Sequence, residues 1–191
     1  ILGISEDAAG NIWLGTDGGG VAVWNGASFR ILTRSDGLAG NVVFRVFRDS
    51  QNRLWACASD GLSLFDGESF RPADAALGIS GQSVYEILED KSGRLWIITA
   101  RSVIVASSSD LASAVDSGSS LSGYRSYDRL DGLAGQLSAN AWAFMNASGI
   151  VYLPTLKGFS TYNPQSVSMN MQPPPVIVEK VTLDGAKAEL G

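Results

Sequence analysis

The chain reads as short apolar–polar alternations, broken at regular intervals by turn residues. Val43 to Arg48 and Val84 to Glu89 alternate as half-buried strands do, and run into the polar turns Asp49-Ser50-Gln51-Asn52 and Asp90-Lys91-Ser92-Gly93. A second strand follows, carrying Trp55 or Trp96 and ending near Ser59 or Thr99. A third covers Leu62 to Phe65 or Val103 to Ala106, and a fourth opens at Phe70-Arg71 or Tyr124-Arg125. The same grammar surrounds Trp13, with Val21 to Trp24 as third strand and Phe29-Arg30 opening the fourth, and a worn copy surrounds Tyr152, with Phe159 to Tyr162 as third strand. Asn25-Gly26 and Asp66-Gly67 are hairpin signals, since a two-residue turn there needs positive φ at both positions. Asp36-Gly37-Leu38-Ala39-Gly40 and Asp131-Gly132-Leu133-Ala134-Gly135 recur as connectors between copies.

The period is regular. Trp13 to Trp55 is 42 positions (55 − 13), Trp55 to Trp96 is 41 (96 − 55), and Trp96 to Tyr152 is 56 (152 − 96), which leaves an insertion of about fifteen residues in the last step. Four strands in about 41 residues is the size of a β-propeller blade. A lone four-stranded sheet cannot bury both faces, whereas radially stacked sheets bury them against their neighbours, with the repeated Trp as the wedge between blades. The expectation is an all-β chain of four four-stranded antiparallel blades at about 1–41, 42–82, 83–137 and 138–170. Between Ser107 and Gly123 the expected insertion is a long outer-strand hairpin. Serines and Gly118 suggest a mobile excursion, in which Ser109-Asp110 could cap a short helix over Leu111 to Val115.

Composition narrows the function. With 14 Lys+Arg against 19 Asp+Glu, and no basic run, neither nucleic acid nor an anionic membrane surface is an expected partner. The chain has no His, which excludes a Ser-His-Asp triad and an imidazole-bound zinc. Its one cysteine, Cys57, lies in an apolar strand and reads as a small buried thiol. No apolar run reaches the length of a membrane span. The sequence opens on Ile1 in mid-pattern, as if cut from something longer.

The repeats resemble the two-component regulator propeller repeats of extracytoplasmic sensors in bacterial hybrid histidine kinases. Ile4-Ser5-Glu6-Asp7 through Trp13-Leu14-Gly15-Thr16, Ile87-Leu88-Glu89-Asp90 through Trp96, and the Asp-Gly-Leu connectors at 36 and 131 carry the likeness. The third copy departs from it at Ala100-Arg101-Ser102, and the second has Leu77-Gly78-Ile79 where the pattern has Asp-Gly-Leu. In that family the last blade leads through a Pro-rich hinge to an immunoglobulin-like Y-Y-Y domain. Tyr162-Asn163-Pro164, the hinge at 171–175 with Pro173-Pro174-Pro175, and Val176 to Leu183 as the first strand of a segment 176–191 fit that order, with Asp184-Gly185 as the turn. The resemblance implies a periplasmic ligand-sensing segment, non-catalytic in itself, and a parent whose output is a histidine kinase or, as in relatives, a diguanylate cyclase.

Candidate chemistry is sparse. The acidic turns at Asp7, Asp49 and Asp90 offer too few converging oxygens for calcium, and Asp in such a turn normally bonds its own backbone. Gly18-Gly19-Gly20 lacks the Lys-Ser/Thr of a phosphate loop. No catalytic residue, metal ligand or cofactor is expected. Positions that change chemistry while their scaffold repeats are the better binding candidates. These are Arg45, Glu86 and Trp142, which align with one another and with Gly3 early in the innermost strands, and Arg101 and Lys157 in the second-to-third turns, where Asp17 and Asp60 stand in the other copies. The expected ligand is a small solute or glycan. A propeller lyase or quinoprotein enzyme and a structural dimerisation scaffold are the competing readings. Stacked blades leave an apolar face at each end, expected to carry Trp13 at one and Tyr152 at the other. They call for further blades or a second copy of the chain, two arcs closing as an eight-bladed ring.

Overall fold

The computed structural model describes residues 1–133, 135–139 and 142–163, and the backbone of 181–183 and 186–188. It is all-β, built from antiparallel sheets in chain order. The first blade is β1 (Gly3–Glu6), β2 (Ile12–Gly15), β3 (Val21–Trp24) and β4 (Phe29–Leu32). The second is β5 (Val43–Arg48), β6 (Leu54–Ala58), β7 (Gly61–Phe65) and β8 (Phe70–Pro72), followed by the single-turn helix α1 (Asp74–Leu77). The third is β9 (Val84–Glu89), β10 (Arg94–Thr99) and β11 (Val103–Ser107), then helix α2 (Ser108–Ser117) and strand β12 (Arg125–Tyr127). The fourth shows β13 (Phe144–Met145), β14 (Val151–Thr155) and β15 (Gly158–Tyr162). Its expected fourth strand and the Pro-rich hinge lie outside the described residues. Past them β16 (Val181–Leu183) pairs with β17 (Ala186–Ala188), Leu183 opposite Ala186. The expected turn at Asp184-Gly185 is outside the described residues. Among the described residues no helix is long and apolar enough to cross a membrane.

The core consists of the seams between blades. Trp13 packs with Val43, Val46 and Leu54 of the second blade, Trp55 with Val84, Ile87 and Leu95 of the third, and Trp96 with Val151 and Leu153 of the fourth. Each wedge thus points to the next blade in the chain, which corrects the expectation about the ends. Trp13 is only 3% exposed, because alternation along β2 turns it inward toward the second blade. The outer face of the first blade is carried instead by Ile4 at 66% exposed, Phe29 and Ile31. Tyr152, in the wedge position of the last blade, stands on the open face beside Phe144 and Phe159, with ring centroids 6.1 and 6.2 Å away.

Each acid-bearing turn closes on its own Trp. Asp7, Asp49 and Asp90 accept backbone N–H bonds from two and four residues ahead, and the indole N–H of Trp13, Trp55 and Trp96 at 2.9, 3.1 and 3.1 Å. The β3–β4 and β7–β8 turns differ from the two-residue form. Trp24 pairs with Phe29 and Phe65 with Phe70, so four residues intervene. The Asn25 and Asp66 side chains accept the N–H groups two and three residues on, and only Gly26 and Gly67 take positive φ.

The insertion joins the paired outer strands β11 and β12, and its helix runs over Ser108–Ser117, longer than the one expected over Leu111 to Val115 and capped by Ser107 rather than by Ser109-Asp110. Ser107 caps α2 by accepting the Asp110 N–H at 3.3 Å, and Leu111, Ala112 and Ala114 bury into the cluster that holds Ala73, Ala76 and Leu77. The Ser108 hydroxyl donates to Asp49 at 2.6 Å, Arg71 pairs with Asp116 at 3.2 Å, and the Tyr124 hydroxyl donates to the Leu77 carbonyl at 3.1 Å. An apolar stripe spaced i, i+1, i+3 needed a surface to cover, and the seam between the second and third blades supplies it.

Candidate functional site

The innermost strands β5 and β9 carry the same irregularity. Val43 pairs with Ala58 and Arg45 with Cys57, so Phe44 is an extra residue; Val84 pairs with Thr99 and Glu86 with Ile98, so Tyr85 is the extra one. A bulge re-aims the side chains that follow it. Phe44 and Tyr85 meet edge to face, 5.4 Å between centroids at 87°. Directly after them, Arg45 Nη1 donates to Glu86 Oε2 at 2.9 Å, and the Arg45 guanidinium lies 4.7 Å from the ring centroid of Trp142, just before β13. Gly3 holds the same place in β1, where a Cβ would stand 2.7 Å from the Phe44 carbonyl oxygen, so only glycine admits the close approach of the two inner strands.

The electrostatics of this cluster are unusual for the molecule. The Glu86 side chain is 5% exposed and that of Arg45 27% exposed. Burial pushes the Glu86 carboxyl up to about 7, against the pull of Arg45 and of the Ile87 N–H. Behind them the Cys57 thiol is pushed up by burial and by Glu86, with Arg45 opposing. Trp142 is 64% exposed, with Arg45 over its ring. A desolvated ion pair beside an open indole offers hydrogen-bonding groups and a stacking surface together.

The structure therefore brings together three of the five residues singled out in the sequence. Arg101, in the β10–β11 turn, and Lys157, in the β14–β15 turn, share no hydrogen bond or ion pair with them among the described residues. Phe44 and Tyr85 were missed as site residues. The signal was present: both strands set an aromatic between the first apolar residue and the charge, Val-Phe-Arg and Val-Tyr-Glu.

Residues 78–101 match the family described as two component regulator propeller. No curated protein is significantly similar in sequence. Among solved structures, the chain is similar to the extracellular domain of a hybrid two component system of B. thetaiotaomicron, BT3049, at 20% identity and a TM-score of 0.70, covering 98% of this chain and 26% of that one. The corresponding domain of BT4673 gives 19% identity and a TM-score of 0.73, covering 86% and 24%. Virginiamycin B lyase from Staphylococcus aureus is a more distant likeness, at 12% identity and a TM-score of 0.52, covering 86% and 56%. The chain thus spans about a quarter of the two-component structures it resembles. At these identities the likeness establishes the propeller fold: the chain is an array of β-propeller blades, of which residues 78–101 match the two component regulator propeller repeat.

Proposed function

We propose that this chain is the extracytoplasmic ligand-sensing propeller of a bacterial two-component receptor, non-catalytic in itself, which takes a small solute or glycan at Arg45, Glu86 and Trp142. The observation that carries this reading is the buried Glu86, paired with half-buried Arg45 on the inner strands and set against an exposed Trp142. A polar pair with little solvent contact discriminates hydrogen-bonding ligands strongly, because a ligand that fails to match it leaves it unpaired. Trp142 supplies apolar area at low entropic cost. The likeness to extracellular domains of two component systems supports the same context. The open faces at Ile4 and Phe159 suit further blades or a second copy, through which occupancy would reach a kinase output.

Thermal shift across a panel of neutral and acidic saccharides and small solutes tests the reading. A ligand that raises Tm for the wild-type protein but not for Trp142→Ala and Glu86→Gln supports it. Binding undiminished in both variants, or turnover of a ligand, overturns it.

A further inference from the structure

The seams between blades present one pair of positions three times, with different chemistry each time. Leaving the first blade, Arg34 opens a 3-10 turn (Arg34–Asp36) ended by left-handed Gly37, and Asp60 from the β6–β7 turn of the next blade meets it at 3.0 Å. Leaving the third blade, Arg129 opens the same turn (Arg129–Asp131), ended by left-handed Gly132. The residue matching Asp60, at the same distance beyond the wedge aromatic, is now Lys157. At the middle seam the connector is α1, with Ala75 in the Arg position and Arg101 in the turn. An ion pair at the first seam has thus become two cations at the third.

Arg129 and Lys157 line one cleft, together with Gln136, Thr155 and Phe159. Neither side chain forms an ion pair or hydrogen bond among the described residues. The two carboxylates of the same turn bond its backbone rather than these cations: Asp128 accepts the Leu130 N–H at 2.7 Å, and Asp131 accepts the Asp128 N–H at 3.0 Å. Two like charges brought to one cleft repel, and an anion between them relieves the repulsion. A guanidinium fork and an ammonium lining one cleft suit a flat or tetrahedral oxyanion, and Phe159, 69% exposed, offers an apolar wall to whatever bears it.

We propose that the cleft between Arg129 and Lys157 binds an oxyanion group (carboxylate, sulfate or phosphate) of a small solute. The lining of this cleft includes none of Arg45, Glu86 and Trp142, and the proposal stands whether or not that cluster holds a ligand.

The first seam supplies the control. Titrations with sulfate, phosphate and acetate, chloride replacing each to hold ionic strength constant, would be followed by calorimetry and by Tm. The wild-type protein should bind at least one of them saturably, and the three arms tell a carboxylate site from a sulfate or phosphate site. Lys157→Asp recreates the Arg–Asp pair of the first seam and should weaken that binding by about tenfold or more, as should Arg129→Gln. Asp60→Lys should create a second site of the same kind beside Arg34. Arg129 and Lys157 are exposed and Asp60 is half-buried, all in turns outside the strands, so the fold is expected to survive. No saturable binding by the wild-type protein, equal binding by Lys157→Asp, or no gain in Asp60→Lys would overturn the proposal.

Discussion

The Trp55 indole N–H donates to the buried Asp49 carboxylate at 3.1 Å, tying the wedge between the second and third blades to the turn that opens its own strand. The same carboxylate accepts the Arg53 guanidinium at 2.7 Å and the Ser108 hydroxyl at 2.6 Å, so this turn also anchors the start of α2. Asp7 and Asp90 repeat the bond to Trp without the helix.

Asp49→Ala should therefore cost more than its counterparts. Removing a buried carboxylate leaves several donors without partners, a loss of about 3 kcal/mol, whereas Asp7→Ala, at a half-buried turn, should cost about 1 kcal/mol. Urea denaturation of the two variants compares them directly.

The acid limb of stability follows from the same bonds. Burial alone would raise the Asp49 carboxyl, but hydrogen bonds from Ser108, Trp55 and Arg53 outweigh it and hold it below the usual range; Asp7 and Asp90 are lowered in the same way. A carboxyl lowered in the folded state contributes stability fully above its unfolded value, about 3.9, and loses it as pH falls through the folded value. Tm should be flat in this respect down to about pH 4 and then fall, with a shallower fall in Asp49→Asn.

Glu86 has the opposite sign. Its folded carboxyl is raised to about 7, so the folded state holds a proton there more tightly than the unfolded chain does. Stability should rise as pH falls from above 7 toward the unfolded value near 4.3, by on the order of 1–3 kcal/mol. Glu86→Gln should remove that rise. A Tm profile from pH 8.5 to 5 that is identical in the two proteins would be the contrary result.

Close approach of strands makes Gly15 a point of failure. A Cβ there would stand 2.5 Å from the Val43 carbonyl oxygen, and a backbone atom cannot move aside as a side chain can. Gly15→Ala should destabilise by about 1–3 kcal/mol. Equilibrium unfolding measures it.

Helix α2 should behave as part of the core. Leu111 is fully buried against the second and third blades, so Leu111→Ala should cost about 2–4 kcal/mol and raise hydrogen exchange in α1, which the helix covers. Loss of stability confined to α2 itself would show that it is an appendage.

The repeat, the strand order within each blade and the place of the wedge were all legible in the sequence. They depend on local rules: period-2 alternation, turn residues at fixed intervals, and a large aromatic that must be buried against something. The five candidate positions were legible for the same reason, since a change of chemistry at a fixed place in a repeat can be seen without coordinates. Contacts between blades were not legible. Which way the wedges point decided that Trp13 is buried at a seam while Tyr152 stands half-buried on the open face. A short helix over Leu111 to Val115 was legible, but where Leu111 could be buried decided its full length and the seam that it covers. Matched bulges at Phe44 and Tyr85 decided that Arg45 meets Glu86 and Trp142, while Arg101 and Lys157 share no hydrogen bond or ion pair with them among the described residues. Local sequence sets the period and the face of each strand. The partner of that face belongs to a chain segment some forty residues away, and only packing in three dimensions selects it.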